Sequence, residues 1–177
     1  MGSGKRARDE SSAAVDLLEN FLDSGFEKRL AVKIINSVLT AGNSDESFAT
    51  LDICTVNLYT GDAEFVKLGA APTFLMHGGK VSVISSSTLP IGMLKYVDME
   101  VSRKQLTHGD ILVMVTDGIV DASGAADKEE WIAGALSGCG YVNPQDIADY
   151  VLFEAQRLSD GQVNDDMTVL AARVWEK

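Results

Sequence analysis

Asp110-Ile111-Leu112-Val113-Met114-Val115-Thr116-Asp117-Gly118-Ile119 carries the reading of the fold. Its continuous apolar run suits a strand covered on both faces, where side chains need not alternate between core and water. Such a strand delivers Asp117, followed by Gly118, to its C-terminal end, and so places a carboxylate on a rigid element. The matching feature is Asn164-Asp165-Asp166-Met167-Thr168, a cluster of acids just before a last strand over 167–174. Hard divalent cations need several oxygen ligands of this kind, so two such loops meeting in a sandwich would make a metal site. Taken singly, an Asp-Gly after a strand is most often a plain turn, and paired aspartates before a strand are usually solvated.

Upstream of this stretch the pattern is β. Residues 50–59 and 63–68 read as a hairpin about Thr60-Gly61-Asp62. Residues 74–77 and 80–84 read as a second hairpin, whose Gly78-Gly79 turn needs positive φ at both central positions. Residues 99–106 and 110–116 are expected to form a further pair, which makes the region a meander of short antiparallel strands. The strand at 167–174 must pair with earlier ones, because no helix remains to cover it.

Helices flank the strands on the sequence. Ala14, Leu17, Leu18, Phe21 and Leu22 recur at three- and four-residue steps, with Gly25 where a C-terminal glycine belongs. Leu30, Ala31, Ile34, Ile35, Val38 and Leu39 form the next buried stripe before Gly42 and Asn43. The spacing predicts a packed pair at 8–23 and 27–41. Two more helices are predicted at 127–137, opening at Asp127 with Glu130 three residues on, and at 144–158, opening at Asn143-Pro144.

With 177 residues and 46% hydrophobic content, the chain can bury one substantial core, and it reads as one domain over 1–177. Its 26 acidic against 15 basic residues give a net charge of −11, which repels nucleic acid and anionic lipid and argues against a nucleic-acid partner. A phosphorylated substrate would meet the same field unless divalent cations or a local arginine supplied positive charge. Apolar runs such as 111–115 fall far short of the ~20 residues a membrane helix needs, so this part is expected to be soluble. Cys54 and Cys139 match no metal-ligand spacing and are too few for a disulfide framework, which favours a reducing, cytoplasmic compartment.

Taken together and in this order, several segments resemble the PPM or PP2C-type serine/threonine phosphatases, and within them the bacterial sporulation branch. They are Met1-Gly2-Ser3-Gly4-Lys5-Arg6-Ala7, Phe48-Ala49-Thr50-Leu51-Asp52, Leu68-Gly69-Ala70-Ala71-Pro72-Thr73-Phe74, Leu89-Pro90-Ile91-Gly92, Thr116-Asp117-Gly118 and Asp165-Asp166-Met167-Thr168. The resemblance implies an α+β fold, an α-β-β-α sandwich of antiparallel sheets flanked by helix pairs. It implies two Mn²⁺ or Mg²⁺ ions that activate the attacking water and hold phosphate oxygens. Asp117 and Asp165 would be ligands and catalytic residues, with Gly118 and Asp166 beside them as further metal candidates. Lys5 and Arg6 would contact the phosphoprotein, while Leu89, Pro90, Ile91 and Gly92 would serve regulation together with the helix pair at 8–41. The implied substrate is a phosphoserine on an anti-anti-sigma factor controlling a sporulation sigma factor. The implied parent protein is membrane-anchored, its soluble C-terminal domain lying in the cytoplasm at the sporulation septum.

In the family the first metal ligand belongs to an Asp-Gly-Met-Gly motif, and this chain opens at what resembles its Met-Gly. The domain is therefore expected to be incomplete at its N-terminus, impaired in activity, and prone to self-association through uncovered sheet edges. The competing readings are a non-catalytic regulatory module and a stress-response phosphatase of the same superfamily. His77 and His108 are expected to be exposed turn residues, Asp52 to make a strand-end hydrogen bond, and Asn164 to be structural.

Overall fold

The computed structural model describes residues 5–41, 48–124, 128–160, 162 and 165–175, with side chains from residue 11 onward. The opening segment 1–4, the side chains of Lys5 and Arg6, the linker 42–47, the Asp127 helix start and Asn164 lie outside that description. In chain order the elements are α1 (Lys5–Asp23), α2 (Lys28–Ala41), β1 (Leu51–Val56), β2 (Asp62–Leu68), β3 (Thr73–His77), β4 (Lys80–Ile84), β5 (Val101–Gln105) and β6 (Ile111–Val115). They continue with α3 (Asp117–Val120), a 3-10 turn (Asp121–Ser123), α4 (Glu130–Gly138), α5 (Pro144–Leu158) and β7 (Val169–Arg173). The strands form an antiparallel-rich, mixed fold with two sheets, ordered β1-β2-β5 and β4-β3-β6-β7. Two compact units divide the chain, one of Met1–Ile53, Val66–Gly69 and Ser86–Val101, the other of Cys54–Phe65, Ala70–Ser85 and Ser102–Lys177.

In the first unit α1 ends as its sequence dictates. Gly25 takes φ +80°, a conformation a β-carbon disfavours. This lets Phe26 N–H reach Phe21 O and Gly25 N–H reach Leu22 O, both at 2.9 Å. The Phe21 and Phe26 rings then meet at 5.3 Å, the apolar contact that accompanies this type of cap. Leu17, Leu18 and Phe21 pack against Val32, Ile35, Val66, Leu68 and Ile91.

The buried face of α2 differs from the expected stripe. Ala31, Val32, Ile35 and Asn36 are buried, while Leu30 and Val38 are 47% and 52% exposed. The reason is polar. Asn36 Nδ2 donates to Leu94 O (3.0 Å) and Lys95 O (3.3 Å), and Asn36 Oδ1 accepts from Gly92 N (2.8 Å). Three bonds to one loop orient the helix about an amide that hydropathy alone would have turned outward.

In the second unit, β3 and β4 pair with His77 opposite Lys80, and Gly78 and Gly79 have φ of +55° and +77°, the predicted two-glycine turn. Strand β6 lies between β3 and β7, and Ile111, Leu112, Val113 and Val115 are buried, as expected for a strand covered on both faces. Asn143 Oδ1 accepts from Gln145 N and caps α5, with Pro144 at the first turn. Ile147, Val151 and Ala155 of α5 then join Ile132 and Leu136 of α4 over Phe74, Val113 and Ile119.

The expected pairing of the strand near 99–106 with that at 110–116 is not formed. Strand β5 is bonded to β2 in one sheet and β6 to β3 and β7 in the other, so the chain is not a simple meander. The turn between them explains the change. Leu106 N–H donates to Gly61 O (2.9 Å), ending β5 against the β1–β2 turn, and Asp110 N–H donates to Thr107 O (3.1 Å). Buried Asp110 turns its carboxylate back on Thr107 N (2.8 Å), closing an arch from which β6 enters the second sheet. Strand β1 is also shorter than read, because Asn57 begins the turn through Oδ1 bonds to Tyr59 N and Thr60 N.

Candidate metal centre at the end of strand β6

The β6–β7 register determines what faces what. Val115 lies opposite Val169, and the ladder continues one step through Thr116 N–H to Thr168 O (3.1 Å). Beyond it Asp117 opens α3 instead of the plain turn its Asp-Gly pair suggests. Thr116 O accepts from Ile119 N (3.0 Å) and Val120 N (3.3 Å), and buried Gly118, Ile119 and Val120 anchor that short helix. Trp131 Nε1–H donates to Val120 O (3.3 Å), a further tie from α4.

Gly118 is required by close approach. A β-carbon there would stand 2.5 Å from Asp166 O and 3.1 Å from Asp165 O, distances that backbone atoms cannot yield without shifting. The missing side chain is what lets the Asp165–Asp166 backbone lie against α3. Across the same seam, Thr116 Oγ1–H donates to Asp166 O (2.9 Å) and accepts from Thr168 N–H (2.9 Å). The two acidic loops quoted from the sequence are therefore brought together.

Asp117, Asp165 and Asp166 are all exposed. Asp117 Oδ1 accepts from Gly118 N (3.1 Å) and Asp165 Oδ1 from Asp166 N (2.8 Å), local bonds that orient each carboxylate. Among the described residues none of the three is ion-paired, an arrangement that a divalent cation would relieve. The donors fit a hard cation in kind: two carboxylates on abutting loops, with backbone carbonyls beside them. They do not complete a set, since among the described residues no cluster of three or more His, Cys, Asp or Glu side chains could hold an ion.

Other candidates are placed elsewhere. Leu89–Gly92 belongs to the first unit, where Ile91 exchanges two 2.9 Å backbone bonds with Ala49 and Pro90 lies against Gly69. His108 is exposed, edge-on to Trp175 at 6.0 Å. His77 is 61% exposed as expected, yet its Nδ1 is 2.7 Å from the buried Asp110 carboxylate. Asp52 makes more than a strand-end bond: its Oδ2 is 2.5 Å from Nζ of Lys67, which is 2% exposed. Hydropathy gives no signal for that partner, because a lysine on a strand reads as a solvent-facing position. Cys54 and Cys139 are half-buried and not joined in a disulfide. No described helix is long and apolar enough to cross a membrane.

A profile of the stage II sporulation protein E (SpoIIE) family matches residues 1–175. The chain is 38% identical over 175 residues to stage II sporulation protein E of Bacillus subtilis (strain 168), an alignment covering 98% of this chain and 21% of that protein. Its structure superposes, with a TM-score of 0.90 and 38% identity, on the PP2C phosphatase domain and regulatory-domain fragment of Bacillus subtilis SpoIIE, covering 98% of this chain and 52% of that one. A manganese-presoaked structure of the Bacillus subtilis SpoIIE phosphatase domain matches with a TM-score of 0.71 and 33% identity, covering 93% and 74%. The fold is that of a PP2C phosphatase domain, and the chain belongs to the SpoIIE family.

Proposed function

We propose that this chain forms part of a metal-dependent protein serine/threonine phosphatase that hydrolyses phosphoserine on an anti-anti-sigma factor and so activates a sporulation sigma factor. The observation that carries the reading is the seam in which Gly118 admits the Asp166 backbone and joins the Asp117 and Asp165 loops. Asp117 and Asp165 would hold the ion, with the Gly118 carbonyl as a further oxygen donor and Asp166 orienting Asp165 through its backbone N–H. When bound, Mn²⁺ or Mg²⁺ would supply Lewis acidity toward phosphate oxygens and lower the pKa of water. The chain's own residues hold the two carboxylates exposed, Asp117 at the start of α3 just past β6 and Asp165 in the loop before β7. Support for manganese comes from the presoaked relative.

No Asp-Gly-Met-Gly sequence occurs among the 177 residues, so the family's first ligand has no counterpart here. Two carboxylates would hold an ion weakly, and full turnover is assigned to the longer protein. The parent protein is proposed to be membrane-anchored at the sporulation septum, with Lys5 and Arg6 facing the phosphoprotein. Regulation is assigned to the helix pair at 8–41 with Leu89–Gly92, a reading supported by the three bonds from Asn36 to the adjoining loop.

The test is Mn²⁺-dependent hydrolysis of a phosphoserine protein and of p-nitrophenyl phosphate by the full-length protein and its Asp117→Asn and Asp165→Asn variants. A neutral amide is a poor ligand for a hard cation, so each variant should fold and lose most activity. Near-normal turnover in either would overturn the assignment. An intact full-length protein inactive on both substrates at saturating Mn²⁺ would favour the non-catalytic module.

A further inference from the structure

We propose that Thr116 is a positioning residue whose hydroxyl sets the separation of the Asp117 and Asp165 carboxylates, and thereby the affinity of the site for Mn²⁺ or Mg²⁺; this rests on the metal-centre reading above. Thr116 touches every segment that must keep its place. Its N–H meets Thr168 O at 3.1 Å, and its C=O accepts the first bonds of α3 from Ile119 and Val120. The hydroxyl adds what the ladder lacks, a bond to Asp166 O and a bond from Thr168 N–H, each at 2.9 Å.

Asp117 follows Thr116 directly, and Asp165 precedes the residue whose carbonyl takes the Thr116 proton. One hydroxyl therefore ties the residue before Asp117 to the residue after Asp165. Gly118 completes the device from the other side, since its bare α-carbon allows contact with Asp166 O while the hydroxyl holds that carbonyl in place. Without the hydroxyl, the Asp166 carbonyl and the Thr168 N–H would each turn to water. The loop bearing Asp165 would then be free to move away from α3. Hydrogen bonds that orient ligands from behind are commonly worth roughly 10- to 100-fold in metal affinity.

The experiment measures Mn²⁺ binding to the full-length protein by loss of the free-ion electron paramagnetic resonance signal, with melting temperature alongside. Thr116→Val keeps the shape and removes the hydroxyl, Thr116→Ser keeps the hydroxyl, and Asp117→Asn reports on the site itself. Thr116→Val is expected to weaken Mn²⁺ binding roughly 10-fold or more, with Thr116→Ser within about threefold of the parent. At saturating Mn²⁺ the Val variant should recover the parent's KM for the phosphoprotein. If Asp117→Asn lowers binding but Thr116→Val binds like the parent, or Ser is as impaired as Val, the positioning role is overturned and the metal centre stands. If Asp117→Asn leaves binding unchanged, the metal-centre reading itself falls. Should the Val variant fail to fold, amide exchange in the parent decides: protection of Thr168 N–H comparable to β7 amides supports the tie, and free exchange overturns it.

Discussion

At Gly118 a single absent carbon determines whether two loops can touch. Gly118→Ala would drive a β-carbon to 2.5 Å from a backbone oxygen, a distance that flexible side-chain motion cannot relieve. The variant should lose about 1–3 kcal/mol of stability by thermal unfolding, within the usual range for forced shifts in packed structure, and should weaken Mn²⁺ binding as well. Parent-like melting and binding would show that the seam is loose. At Lys67 the prediction has two arms. Asp52→Ala alone leaves a buried ammonium without its 2.5 Å carboxylate and should cost about 3–5 kcal/mol. The double variant Asp52→Leu/Lys67→Met should recover most of that loss, because well-packed apolar replacements of a buried ion pair are often neutral. Chemical denaturation of the three proteins checks both arms.

At the scale of elements, α2 is oriented by one amide. Asn36→Leu would strand Gly92 N–H and the Leu94 and Lys95 carbonyls beside a residue 2% exposed in the parent. The expected loss is about 1–3 kcal/mol in thermal unfolding, despite the gain in hydrophobicity. A stabilised variant would mean the loop does not depend on the helix. The arch from β5 to β6 rests likewise on Asp110, which receives Thr107 N–H and Thr107 Oγ1–H and meets His77 Nδ1. Asp110→Ala should unfold more readily than His77→Ala, since the carboxylate serves both the turn and the imidazole. The reverse order in melting temperature would place the anchor on β3 instead.

For the whole molecule, β7 is an edge strand of its four-stranded sheet, and Leu170 on it is 53% exposed. Unpaired edges with apolar side chains are templates for association. The 177-residue chain should therefore show concentration-dependent self-association by sedimentation velocity, reduced by Leu170→Lys. A monomer at all concentrations would show that the net charge of −11 keeps copies apart.

How much of this was legible follows from the range of the interactions involved. Periodicity, glycine at positive φ and Asn143-Pro144 are local, and they specified α1, the β3–β4 turn, the start of α5 and the doubly covered β6, because each depends on neighbours within a few residues. The pair of acidic motifs named both loops of the candidate centre. What the local pattern could not carry was pairing between distant segments. Strands β5 and β6 are joined by a tight turn that serves equally as a hairpin or an arch, and the Asp110 clamp with the Gly61 bond selected the arch. Asn36 and Lys67 read as solvent-facing because polarity marks the surface unless a partner is brought in from elsewhere, and those partners lie 15 residues away for Lys67 and 56 to 59 for Asn36. The close contact of Gly118 with Asp166 has the same origin: the sequence determined the donors, and only the β6–β7 register, set by packing of the second unit, decided that they meet.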